Sequence, residues 1–314
     1  MINSPDWVEG CGHMVKTKDI LEFIRTFEEG AEVVSESGGA VCGVSPLSDA
    51  KDGTVTWVRQ ECFDLAGVNA EIVICPLNFR QTRGEYPKTL VKVRKPRLCF
   101  MKVAERFFAP PKPSGKHPNA VIEQGANIGP DTYIGANTFV GGHVSIGRNT
   151  VIYHNVTIMN CVAIGDNCII HSGAVIGQDG FGYEKTDCGG WAKFPHFGGV
   201  TIGKNVYIGA NTCIDRGTMG DTIIHDCVKI DNLCHIAHNA VIERNAVVIA
   251  KSMVAGSAHI EEGAYIAPSV SVRDGLTIGR ESFVGMGSVV VRDVDAGAVV
   301  AGVPARRLRD NTEN

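Results

Sequence analysis

Residues 120–152 read AVIEQGANIGPDTYIGANTFVGGHVSIGRNTVI, and every sixth residue from Ile122 onward is Ile or Val. The series Ile122, Ile128, Ile134, Val140, Ile146, Ile152 continues through Ile176. Two places before each stands a second small or β-branched residue, as at Ala120, Ala126, Thr132 and Thr138. The pattern returns at Ile202, Ile208 and Ile214, then runs from Ile224 to Val290. A six-residue period is neither helical nor a simple alternating strand; it marks a hexapeptide-repeat parallel β-helix. Two inward positions per hexad, spaced by two, give one short strand with one face on the core. Gly129, Gly135, Asn137, Gly147, Asn149, Gly165 and Asn167 fall between strands, where corners with cheap positive φ are expected. Three hexads make a coil, so residues 18 apart stack. A rod of flat faces has exposed rims and tends to associate through them.

Residues 1–108 lack the hexad. Thr17–Phe27 carries Ile20, Leu21, Phe23, Ile24 and Phe27 at helical spacing. β-rich segments follow at Ala40–Val44, Thr54–Arg59, Ala70–Cys75 and Leu90–Val93, then a helix at Arg97–Phe108. The expectation is an α/β domain over 1–108, a Pro-rich linker over 109–117 (APPKPSGKH), a β-helix over 118–301 and a short tail over 302–314. Two insertions interrupt the rod, Gln178–Gly199 and Arg216–Thr222. Long loops leaving a rigid scaffold are usual places for function.

The chain has 314 residues, a net charge of −4 and a pI near 6.2, so nothing points to nucleic acid as a partner. No charged leader or long apolar run is present, so neither secretion nor a membrane span is expected, and the location expected is cytoplasmic. The eleven Cys form no CxxC pair. Cys168 and Cys234 occupy inward hexad positions, where Cys serves as a small hydrophobe, and reduced thiols are expected.

His235 lies one place before Ile236 and His238 two places after it, neither on an inward position. Asp231 and Asn232 stand just before them. A His held in one tautomer by a neighbouring carboxylate or amide can act as a general base. One coil beyond His238 is Gly256, whose backbone N–H could serve a reacting carbonyl as an oxyanion donor. That combination suits acyl transfer from a thioester to an amine or hydroxyl. No Ser or Cys nucleophile is needed for it.

Gly177–Gly182 (GQDGFG), Lys193–Gly198 (KFPHFG), Ile208–Gly217 (IGANTCIDRG), Lys229–Asn239 (KIDNLCHIAHN) and Ala255–Ser257 (AGS) strongly resemble the UDP-3-O-(3-hydroxyacyl)glucosamine N-acyltransferases of lipid A synthesis. The likeness covers most of the chain. The HIAHN and DGFG segments together are specific, whereas single hexads are shared by many acetyltransferases. The resemblance implies a left-handed β-helix, a homotrimer and active sites between subunits. It implies His238 as the base that deprotonates the sugar amine, Gly256 as oxyanion donor, and Asp231 and Asn232 as supporting polar groups. The family grips uracil with F-x-x-N-x-x-Y, and the matching residues here are Trp57, Gln60 and Phe63. Two aromatics flanking an amide keep the stack-and-hydrogen-bond logic; the alternative is that Trp57 and Phe63 are core aromatics. Asp179 and Phe181 of the inserted loop are expected at substrate or acyl contacts, with His196 and His235 beside them. Where the family usually has Gln after the loop's Pro, this chain has His196.

Two departures bear on the donor. The family's second His further along the rod is matched here by Gly275. The family also usually ends in a helical extension linked to acyl carrier protein docking, and here Gly302–Arg306 (GVPAR) lies close to the end. That ending resembles coenzyme A-dependent hexapeptide acetyltransferases, in which case Arg306, Arg307 and Arg309 could pair with coenzyme A phosphates. The donor expected is therefore an acyl carrier protein or coenzyme A thioester, with no permanently bound cofactor and no metal. An acetyl-coenzyme A-dependent acetyltransferase of another surface glycan is the alternative. A zinc hydratase of the γ-carbonic anhydrase type would need a third His beside His235 and His238. A non-catalytic rod would leave the specific segments without a role.

Overall fold

The computed structural model describes residues 14–311, so residues 1–13 of the expected N-terminal domain and 312–314 of the expected tail lie outside the described residues. The chain divides into two compact units at Pro111/Lys112.

The second unit is a left-handed parallel β-helix. Its strands are mostly two or three residues long and stack into three parallel sheets of 11, 9 and 8 strands. The largest sheet closes with a single antiparallel pairing of Arg306–Asp310 on Ala298–Ala301. The register steps by 18 residues: Tyr133 pairs with Val151 and Val151 with Ile169. The two insertions break that step, so Tyr207 follows Ile169 and His235 follows Cys213. Inside, the hexad aliphatics form one continuous column in which Ile134, Ile152, Ile170, Ile208 and Ile230 are all 0% exposed. Most inward hydroxyls are satisfied between coils; that of Ser282 is buried without a partner among the described residues. Thr138 Oγ1 donates to the Tyr153 carbonyl at 2.7 Å and accepts from Val156 N–H at 3.2 Å. Thr150 and Ser252 bridge their coils in the same manner, so buried polarity costs little here.

The corners correct one expectation. Positive φ falls on Asn137, Asn149 and Asn167, three places after the aliphatic residue, with φ of 55–58°. The glycines directly after the aliphatic residue have ordinary φ and answer to closeness instead. An added Cβ at Gly135 would lie 2.6 Å from the Tyr153 carbonyl carbon one coil along.

Each coil contacts only its neighbours, so a void in one coil weakens the stack locally. Ile170→Ala is expected to destabilise the rod by about 2–5 kcal/mol. Urea denaturation followed by circular dichroism checks this.

The first unit is a five-stranded mixed sheet in the order 32–35, 89–93, 72–76, 54–57, 43–44. Helices Thr17–Arg25 and Pro96–Phe107 cover one face through Ile20, Leu21, Ile24, Cys99 and Val103. Leu65, Phe79 and Tyr86 cover the other. Strand Glu32–Ser35 lies outside the β-rich segments of the sequence; it is an edge strand whose pattern is only half apolar. No helix among the described residues is long and apolar enough to cross a membrane.

Candidate active site

His238 follows strand His235–Ile236, at the corner where the chain turns onto the next face. Asn239 comes next, in the left-handed region at φ 60°. Its side chain is fixed from the other side. Asn239 Oδ1 accepts from Thr218 N–H at 3.0 Å and from Thr218 Oγ1 at 2.8 Å, while Nδ2 donates to the Gly220 carbonyl at 2.9 Å. A backbone N–H can only donate, so the oxygen of Asn239 must be the atom facing it. His238 Nδ1 lies 3.2 Å from that same oxygen and therefore carries the hydrogen. This leaves Nε2 with a free lone pair, which is the tautomer a proton acceptor needs.

Gly256 lies against that ring. An added Cβ at Gly256 would come 2.7 Å from His238 Cε1 and 2.8 Å from Nε2, so only glycine lets the backbone approach. Its N–H meets no acceptor among the described residues. At the same hexad position some corner amides are capped by side chains. Arg148 N–H is taken by Asp166, Lys204 by Asp226, Ala210 by Asn232 and Ala250 by Asp231. Others, Asp226 and Asn232 among them, also meet no acceptor among the described residues, so what sets the Gly256 amide apart is the His238 ring beside it. A free backbone donor beside a free imidazole lone pair can hold a developing oxyanion next to a proton acceptor.

Asp231 and Asn232 serve the rod itself. They follow strand Lys229–Ile230, one corner before His235, and cap the neighbouring coils' amides; within this chain neither is hydrogen-bonded to His238. The carboxylate near the histidines is Asp215, which the sequence reading did not single out. It sits on strand Cys213–Arg216, is 7% exposed, and lies 3.5 Å from His235 Nε2.

The inserted loop folds over this region. Strands Tyr183–Lys185 and Trp191–Lys193 form a hairpin. His196 beyond it is 8% exposed, and its ring stands edge-on to His238 with centroids 5.8 Å apart. His196 Nδ1 faces the Phe194 carbonyl at 3.0 Å and so donates to it; Nε2 is buried without a partner among the described residues. Gly180 lets the loop close here, since a Cβ there would be 2.9 Å from His196 Nε2 and 3.0 Å from His238 Cβ. Asp179 pairs with Lys193 Nζ at 2.5 Å, and that hydrogen bond holds its carboxyl below the usual range. Phe181 is 87% exposed and, with Tyr183 and Trp191, lines an apolar hollow.

In the first unit, Trp57 packs on the helix-covered face and lines a cleft with Arg59, Lys95, Arg97 and Leu98. Phe63 belongs to the cluster on the opposite face, so within this unit the two aromatics do not flank one slot; Gln60 is exposed. At the end of the rod, Arg307 pairs with Asp295 at 3.2 Å and with Asp310, whereas among the described residues Arg306 and Arg309 hydrogen-bond to backbone carbonyls, those of Ala305 and Asp310. Among the described residues no three His, Cys, Asp or Glu side chains converge to hold a metal.

A hexad-built β-helix with an unpaired backbone donor against an oriented histidine is the body of a hexapeptide acyltransferase. Residues 143–178 match the family described as bacterial transferase hexapeptide (six repeats). Among solved structures, the chain is similar to the UDP-N-acetylglucosamine O-acyltransferase of Moraxella catarrhalis, at 29% identity and a TM-score of 0.56 over 63% of this chain and 75% of that one. The Campylobacter jejuni UDP-N-acetylglucosamine acyltransferase gives 27% identity and a TM-score of 0.57 over the same shares. Curated relatives are more specific. The UDP-3-O-acylglucosamine N-acyltransferase of Caulobacter sp. (strain K31) is 38% identical over 89% of this chain and 87% of its own length. That of Cupriavidus metallidurans is 39% identical over 74% and 71%. The chain belongs to the UDP-3-O-acylglucosamine N-acyltransferase family and is an acyltransferase.

Proposed function

We propose that the protein transfers an acyl group from a thioester to the amine of UDP-3-O-acylglucosamine, as in lipid A synthesis. The substrate follows from the names of its relatives. The observation that carries the mechanism is His238, with Nδ1–H tied to Asn239 and Nε2 free beside the unpaired Gly256 N–H. In this reading the amine attacks the thioester carbonyl while His238 Nε2 takes a proton from the nitrogen. The carbonyl oxygen, becoming negative, is held by Gly256 N–H. The C–S bond then breaks and the leaving thiolate takes the proton from His238. No covalent enzyme intermediate is needed.

Asp179 and Phe181 are read as contacts for substrate or acyl chain, with the hollow at Phe181, Tyr183 and Trp191 offering apolar surface. The cleft at Trp57 offers an aromatic face with Arg59, Lys95 and Arg97 for a nucleoside diphosphate. Homotrimeric assembly belongs to the same reading and comes from the resemblance; a cytoplasmic setting is part of it too, as the location expected of an enzyme of this pathway.

The donor is tested by thiol release from purified protein, with a 3-hydroxyacyl carrier protein and acetyl-coenzyme A offered in parallel. Turnover with the carrier protein alone is expected. Turnover with acetyl-coenzyme A alone would move the reading to a nucleotide-sugar acetyltransferase and give Arg306 and Arg309 a phosphate-binding role.

A further inference from the structure

The site holds a buried carboxylate for which the mechanism above has no use. Asp215 lies beneath the inserted loop, on the strand whose neighbours in its sheet are Val175–Asp179 on one side and His235–Ile236 on the other. His235 Nε2 lies 3.5 Å from it, His238 follows the adjacent strand His235–Ile236, and His196 stands edge-on to His238 with centroids 5.8 Å apart. The other charged groups facing this cluster are Asp179, tied to Lys193, and Arg216, whose Nε donates to the Gly198 carbonyl at 2.7 Å. Burial pushes the Asp215 carboxyl upward, and the three histidines oppose that push. A carboxylate brought this far out of water is costly unless a positive charge appears beside it. In acyl transfer one does appear, because His238 becomes an imidazolium between proton uptake and release. Its Nδ1–H is occupied by a neutral amide, Asn239, so the orienting partner supplies no charge.

We propose that Asp215 is a positioning residue whose buried carboxylate acts as counter-charge to the imidazolium that forms on His238, and so sets how readily that ring holds the transferred proton. The proposal rests on His238 being the base. Asn239 orients the ring and Asp215 supplies the field, dividing between two residues what one carboxylate does in a Ser-His-Asp triad. His235 shares the carboxylate and moderates its effect.

The test is kcat/KM against pH for the full chain, with UDP-3-O-acylglucosamine and an acyl thioester, in wild type, Asp215→Asn, Asp215→Glu and His238→Ala. Removing the negative charge makes His238 give up its proton more easily. For Asp215→Asn the acid limb is therefore expected to move about half a unit to one unit lower in pH. Its plateau is expected to fall about tenfold, in kcat rather than KM. Asp215→Glu is expected to restore the limb. Titration of the acceptor amine is common to all variants and drops out of the comparison. A wild-type profile for Asp215→Asn, or a loss of rate with an unmoved limb, would overturn the proposal while leaving the base intact. Near wild-type activity of His238→Ala would instead remove the base, and this proposal with it. Should Asp215→Asn fail to fold by thermal melting, His235→Asn decides. Freed of its near neighbour, Asp215 is expected to raise the acid limb, and an unmoved or lowered limb would refute the role.

Discussion

His238→Ala is expected to lower kcat/KM by about 10²–10⁴-fold, the range for loss of a positioned general base. The loss should appear in kcat, because the lone pair on Nε2 acts on the nitrogen only as the amide bond forms. Stability should hardly move. His238 is half-buried at a corner, outside the Ile/Val column, and Asn239 keeps its hydrogen bonds to Thr218 and Gly220 without the ring. Thermal melting alongside steady-state kinetics separates the two. A variant that melts like wild type and turns over like wild type would show that the proton goes elsewhere.

Gly256→Ala is the second large effect, expected at about 10²–10³-fold in kcat. The substitution keeps the N–H, so a purely electronic view predicts little. The loss comes from space. The new methyl would stand 2.7–2.8 Å from Cε1 and Nε2 of His238, closer than atoms tolerate, and it would also cover the amide. The ring must swing away, breaking the 3.2 Å contact to Asn239 and with it the tautomer. Misplacement of a catalytic group by about 1 Å costs on the order of 10²-fold. The backbone at Gly256 has ordinary φ, so the fold itself should accept Ala. Kinetics with a circular dichroism control checks both halves.

The rod was legible because its period is geometric. Three hexads close one coil, and the aliphatic column from Ile134 to Val290 follows from counting. The pairing of His238 with Gly256 was legible for the same reason, since no insertion falls between them. Asp215 was not, because the step from Cys213 to His235 crosses the second insertion and the 18-residue rule fails there. His196 was noticed as a departure, but its place at the edge of the His238 ring depends on the fold of the first insertion, which has no repeat to read. Asp231 and Asn232 stand one corner before His235, and the amides they cap, Ala250 and Ala210, are visible only once the coils are stacked. The hexad glycines misled. Glycine is permitted both by positive φ and by close approach, and composition does not tell these apart; positive φ falls three places after the aliphatic residue, on asparagines such as Asn137 and on Gly173, Gly263 and Gly275, and not on glycines directly after it such as Gly135. Trp57 and Phe63 match a spacing, yet the sheet between them sends one to each face.

The central claim is that an amine is acylated directly from a thioester. The measurement that tests it most directly is the product mass, with UDP-3-O-acylglucosamine bearing its free amine and with UDP-N-acetylglucosamine, whose amine is blocked and whose 3-hydroxyl is free, each offered with the same acyl thioester. The account predicts an N-acylated product and stoichiometric thiol from the first, and none from the second. Acylation of the second alone would make the protein a hydroxyl acyltransferase and contradict the account.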